Sequence, residues 1–163
     1  MEKELAVHEI APVYDKNARI LILGSFPSVK SRETKFFYGH PQNRFWKVLS
    51  QVFSCEIPVT VEEKKHMLLS HHIAVWDVIA RCEIAGSSDS SIEQVIPNDI
   101  SQIVKVAPIK AIYTNGKKAY ELYCKYCQET VGMKAISLPS TSPANASYGI
   151  LRLVEAWKCI KEV

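Results

Sequence analysis

Apolar and polar positions along the chain fall into short blocks whose period switches repeatedly. Residues 19–23 form an apolar run closed by Gly24 and Ser25, which reads as a strand buried on both faces. Residues 24–42 follow as a polar loop longer than structureless connections usually are. Over residues 43–53 the apolar positions Phe45, Trp46, Val48, Leu49 and Val52 recur at helical spacing, with Asn43 where a cap belongs. Residues 57–60 read as a connector, and Thr60 with Glu63 has the form of a capping box opening a helix to about residue 71. Residues 73–79 read as a second buried strand, 86–91 as a polar loop and 99–106 as a short helix stopped before Pro108. A third strand is expected over 109–114, a turn at Asn115-Gly116, a helix over 117–130 and a fourth strand over 134–138. The Ser- and Pro-rich loop 140–147 and a final helix over 148–161 complete the chain. Residues 1–18 read as a mixed leader with no element assigned.

Strands that alternate with helical segments predict an α/β fold, a three-layer αβα arrangement around a short four-stranded parallel sheet. In such a sheet ligands bind outside the carboxyl ends of the strands. The 24–42 loop, the Asn115-Gly116 turn and the 140–147 loop all belong at that edge, and their convergence predicts a pocket there.

Composition changes this picture little. A length of 163 residues, 47% hydrophobic and 23% charged, predicts a single domain over 1–163. A net charge of +3 permits a polyanionic partner without demanding one. No apolar stretch approaches the roughly 20 residues of a membrane span. With a charged start and five scattered cysteines, the expectation is a cytoplasmic protein, a monomer with free thiols and no membrane partner. Cys124 and Cys127 have CxxC spacing, but no second Cys or His pair completes a zinc site, and structural thiols are the expectation.

One stretch carries more chemistry than a structural segment needs: residues 38–46, Tyr-Gly-His-Pro-Gln-Asn-Arg-Phe-Trp. Together with Gly24-Ser25-Phe26-Pro27-Ser28 it resembles the first motif region of the uracil-DNA glycosylase superfamily, whose mismatch-specific branch has a similar HP-x-NRFWK run. Gly116-Lys117-x-Ala119-Tyr120, the 138–143 run Leu-Pro-Ser-Thr-Ser-Pro and the 154–157 run Val-Glu-Ala-Trp follow in matching order. The GSFPS and STSPAN forms are most similar to the hypoxanthine-DNA glycosylase (DNA-deoxyinosine glycosylase) family. The resemblance implies an enzyme that flips a deaminated base out of DNA and hydrolyses its N-glycosidic bond, with hypoxanthine preferred and uracil a second candidate. It implies no metal and no organic cofactor. Three positions depart from the superfamily pattern: Phe26 stands where Asp or Asn often places water, Ser140 replaces a His or Asn, and Ala144 replaces an intercalating leucine.

Base removal needs donors placed where negative charge develops on the leaving base, and a water held near the sugar. An amide suits both tasks. Asn43 is either a plain helix cap or, as the resemblance implies, the leading catalytic residue. Asn115 is either a second catalytic amide or a turn residue, and His40 either touches the base or sugar or packs the loop. Tyr38 matches the aromatic that stacks on a flipped base, with core packing as the alternative. Gly24, Ser25 and Phe26 would meet the base edge. Ser28, Ser140, Ser142, Asn145 and Lys117 are assigned to DNA, mainly its phosphates, against the alternative of a flexible loop and a solvated lysine. Asp89, in the 86–91 loop, either borders the pocket or caps a helix. A non-catalytic module binding damaged DNA or a nucleotide is the competing reading, with Phe26 and Ser140 as its support.

Overall fold

A computed structural model describes residues 2–163. Four parallel strands form the central sheet: β2 (Ile20–Gly24), β3 (Ile73–Asp77), β6 (Ala111–Asn115) and β7 (Ala135–Leu138), in the order β3-β2-β6-β7. The inner strand β2 and its neighbour β3 are buried at every position, which is why both read as unbroken apolar runs. The chain leaves β2 toward β3 on one side and β6 toward β7 on the other. Right-handed crossovers therefore put the two sets of connecting helices on opposite faces. One set is α1 (Val29–Thr34), α2 (Phe45–Val52) and α3 (Val61–Ser70); the other holds α5 (Lys117–Tyr126) and α6 (Gln128–Val131). The closing helix α7 (Ile150–Trp157) packs on α2, where Phe45 and Trp157 meet edge to face at 5.9 Å. The gap between β2 and β6 is thus the point where strand order reverses, the usual place for a ligand in a sheet of this kind.

A second sheet was not expected. β1 (Glu4–Val7), β4 (Ile79–Ile84) and β5 (Glu93–Pro97) form an antiparallel ribbon in the order β1-β4-β5. Residues 1–18 are therefore not merely a leader, although Met1 lies outside the described residues. The strand expected over 73–79 is two strands broken at Val78. There the backbone turns from one sheet into the other, with the N–H groups of Val78 and Ile79 bonded to the carbonyls of Gly24 and Ser25. Asn98 Nδ2 bridges the carbonyls of Asp77 and Ile79 and secures the break.

Other boundaries shift for local reasons. The 24–42 loop holds α1, capped by Ser28 and ended by Lys35 in the left-handed region. The Thr60–Glu63 capping box opens α3 as expected. Helix α4 (Ser101–Val106) starts two residues late. The helix expected over 117–130 breaks at Cys127, and α7 tightens into a 3-10 turn from Lys158 to Glu162. Cys124 is exposed, while burial pushes the Cys127 thiol up to about 11, so this pair is poorly suited to redox work.

Candidate active site

In the sheet register Gly24 lies opposite Asp77, Leu23 opposite Thr114, and Asn115 opposite Leu138. The strand ends therefore form one edge, and a cavity of about 300 Å³ opens above it. Gly24, Ser25, Phe26, Ser28, Tyr38, His40, Asn43, Asn115, Ser140 and Ser142 all line this pocket, so ten of the residues expected at the site come together. Lys117 and Asn145 lie instead in an adjoining open groove.

Asn43 is not the helix cap; Arg44 occupies that position without a side-chain cap bond. Asn43 Oδ1 still accepts from the Phe45 N–H at 2.9 Å, and also from the Thr141 hydroxyl at 2.8 Å. With its oxygen committed twice, the amide orientation is settled. Nδ2 has no hydrogen-bond partner among the described residues, on a residue that lines the pocket. Thr141 is the joint of the site: its hydroxyl accepts from Asn115 Nδ2 at 3.0 Å, and its N–H donates to Asn115 Oδ1 at 3.0 Å. Two amides 72 residues apart in sequence are thus locked through one buried threonine.

Arg44 holds the other wall. Its guanidinium donates to the carbonyls of Ser142 at 2.9 Å and Asn145 at 3.1 Å, and to those of Thr141 and Tyr148, while its own N–H also bonds the Thr141 carbonyl. The 140–148 loop is therefore fixed in shape rather than flexible. Asn145 spends its Nδ2 on the Ser140 carbonyl. Ser140 and Ser142 accept from backbone N–H groups two residues on, which leaves each hydroxyl proton free to donate. Gly116, at φ +95°, passes so close to Ser140 that a Cβ would stand 3.1 Å from the serine Cβ.

At the pocket floor Gly24 has no Cβ because Asp77 Oδ1 occupies that space, with Tyr38 Oη beside it. Asp77 is held by a residue of the unexpected ribbon: His8 Nε2 lies 2.8 Å from Asp77 Oδ2. His8 Nδ1 accepts from the Ile10 N–H, so Nε2 carries the proton that it gives to the carboxylate. Tyr38 sits at φ +52°, an uncommon conformation for an aromatic residue. Its ring stacks on Phe45 at 3.9 Å, so one face is already covered. Its hydroxyl is buried and makes no hydrogen bond of ordinary geometry. Burial first, and then the nearby Asp77, raise its pKa far above the usual phenol value, against a smaller opposing pull from Asn115. Phe26 is buried edge-on to His8, with the Arg32 guanidinium over its ring at 5.3 Å. His40 accepts from the Gln42 N–H through Nδ1, leaving Nε2 to carry its proton. Ser28 serves α1 as its cap while lining the pocket rim.

Of the two alternatives for Asp89, the structure places it at the pocket, where it accepts from the Ser25 hydroxyl at 2.7 Å. The residue as a whole is exposed, but protein crowds its carboxyl on the pocket side. That loss of hydration raises its pKa, partly offset by Ser25; Asp77 adds to the rise and Lys118 opposes it.

A model of the uracil DNA glycosylase superfamily matches residues 11–162 of this chain. The chain belongs to that superfamily. Among curated superfamily relatives, a protein of Methanosarcina acetivorans named hypoxanthine DNA glycosylase is 35% identical over 150 residues, covering 91% of this chain and 93% of its own. One of the same name from Methanosarcina barkeri is 32% identical over 136 residues, covering 82% and 85%. The solution NMR structure of a protein described as a uracil DNA glycosylase from Methanosarcina acetivorans superposes with a TM-score of 0.80 at 33% identity, covering 94% of this chain and 95% of that one. The superfamily and its fold thus agree with the motif reading.

Thr141, Asp77, His8 and the carbonyl-binding role of Arg44 escaped sequence reasoning. Asp77 had a signal: it closes an apolar run, as Gly24 closes the run it pairs with. Thr141 stands between two serines of the same hydroxyl chemistry, and nothing local to His8 marks it.

Proposed function

We infer that this chain is a monofunctional DNA glycosylase that hydrolyses the N-glycosidic bond of a deaminated base, with hypoxanthine as the preferred substrate and without a metal or organic cofactor. The observation that carries this reading is the Asn43 amide. Its oxygen is bound on the protein side and its NH₂ is left for whatever fills a base-sized pocket at the switch point of the sheet. Donors fixed in advance stabilise the negative charge that develops on a departing base. Fixing them also removes the cost of orienting them during the reaction. The free hydroxyl protons of Ser140 and Ser142, with Lys117 in the groove beyond, suit the phosphates flanking a flipped nucleotide. Uracil is kept as a second substrate, because the similar solved structure is described as a uracil DNA glycosylase.

The test is incubation with single- and double-stranded oligonucleotides carrying one hypoxanthine or one uracil, followed by alkaline cleavage of abasic sites. Hypoxanthine release that Asn43→Ala lowers by about a hundred-fold or more supports the reading and its principal residue. Release of uracil alone keeps the chemistry and overturns the preference. Saturable DNA binding without release of either base favours the non-catalytic module.

A further inference from the structure

Hydrolysis needs a group that holds the attacking water, and Phe26, which lines the pocket beside Ser25, is a buried hydrocarbon ring that can neither accept a proton nor orient a water. Two adjoining cavities point to where such a group would stand. The base pocket and the open groove share four residues: Asp89, Ser140, Ser142 and Ala144. On the glycosylase reading, on which this inference rests, the base fills the pocket and the strand backbone follows the groove. The sugar carbon between them therefore sits at the shared rim. Asp89 is the only titratable residue of those four. The other acid of the pocket, Asp77, is on the floor beside Gly24 and already bound by His8, at the base end rather than the sugar end.

We propose that Asp89, steadied by the Ser25 hydroxyl, is the catalytic carboxylate that holds and deprotonates the attacking water. Ser25 donates to Oδ1, which fixes the carboxyl and leaves Oδ2 for the water. In the step, the C1′–N bond breaks with its electron pair leaving on the base, while the water oxygen bonds to C1′. The proton shed by water passes to Asp89, and through solvent to the departing base anion. One water is consumed, and a free base and an abasic site are formed. The same carboxylate, at the sugar end, also opposes the positive charge that builds on the sugar. A raised pKa strengthens Asp89 as a base so long as it remains ionised. Its charged neighbours are Asp77 from β3 and Lys118 from α5. Tyr38 and Cys82 feel its charge, and Arg32 of α1 stands beside Cys82.

The test compares wild type, Asp89→Asn and Ser25→Ala in single-turnover release of hypoxanthine across pH, with affinity for the same oligonucleotide measured alongside. Asparagine keeps the shape and can still accept from Ser25, so folding is preserved. For Asp89→Asn we expect a loss of about a hundred-fold or more in rate, DNA affinity within a factor of about three, and disappearance of the acid limb of the pH profile. Losing the Ser25 hydroxyl removes a contact that lowers the Asp89 pKa, so in Ser25→Ala the acid limb moves to higher pH. A purely structural Asp89 would leave the limb where it is. Wild-type release matched by Asp89→Asn at every pH overturns this proposal alone. A wild-type protein that releases no base overturns the glycosylase reading, and this proposal with it.

Discussion

At the scale of single residues the site is organised by Thr141 rather than by the asparagines it joins. One hydroxyl donates to Asn43 and accepts from Asn115. Replacing it by isosteric valine leaves a donor on one amide and an acceptor on the other without that partner. We expect Thr141→Val to cost about 1–3 kcal/mol in urea unfolding. Base release should slow about ten- to a hundred-fold, because Asn43 is then free to turn. A rate equal to wild type would mean that the Phe45 N–H alone aims the amide. The asparagines themselves were legible in the sequence, one from a motif of aromatics and charge, the other from its place after a strand. Thr141 was not, since its importance lies in two partners 98 and 26 residues away.

At the scale of elements, burial explains what could be read. Strands β2 and β3 are buried throughout and β6 over its three central residues, and apolar runs announce them; β7, at the sheet edge, buries only Leu138. The antiparallel ribbon is half exposed: β4 alternates irregularly, β5 has no fully buried position and ends in Pro97, and β1 buries only Ala6. No period-2 or apolar run survives in such segments. Yet the ribbon's connections serve the pocket twice: His8, after β1, holds the pocket residue Asp77, and Asp89, between β4 and β5, lines the pocket itself. His8 and Asp77 are both nearly buried, with side chains 2% and 5% exposed, so removing the imidazole strands a carboxylate beneath the pocket. We expect His8→Ala to destabilise the fold by about 2–4 kcal/mol. Chemical denaturation at neutral pH measures this, and an unchanged midpoint would show that the pair is dispensable. Trimming the chain before residue 9 should do at least as much damage.

At the scale of the whole molecule, a net charge of +3 is too small to make nucleic-acid affinity a property of the surface at large. Attraction has to come from the lysines near the groove, among them exposed Lys117 and half-buried Lys118 at the start of α5. Lys117→Ala should weaken binding to DNA with and without a deaminated base by a similar factor. It should also reduce the slope of log affinity against log salt by about one. A fluorescence-anisotropy titration at several salt concentrations reads both. A loss confined to the damaged oligonucleotide would instead place Lys117 at the flipped nucleotide itself.

Arg44 grips the 140–148 loop entirely through main-chain carbonyls. What it recognises is the path of the loop, not its side chains. Residues such as Ser142, Pro143 and Ala144 can therefore be exchanged by mutation without loosening the anchor. The mount constrains a backbone, so substitutions on the loop can change what the pocket rim offers while its course is kept.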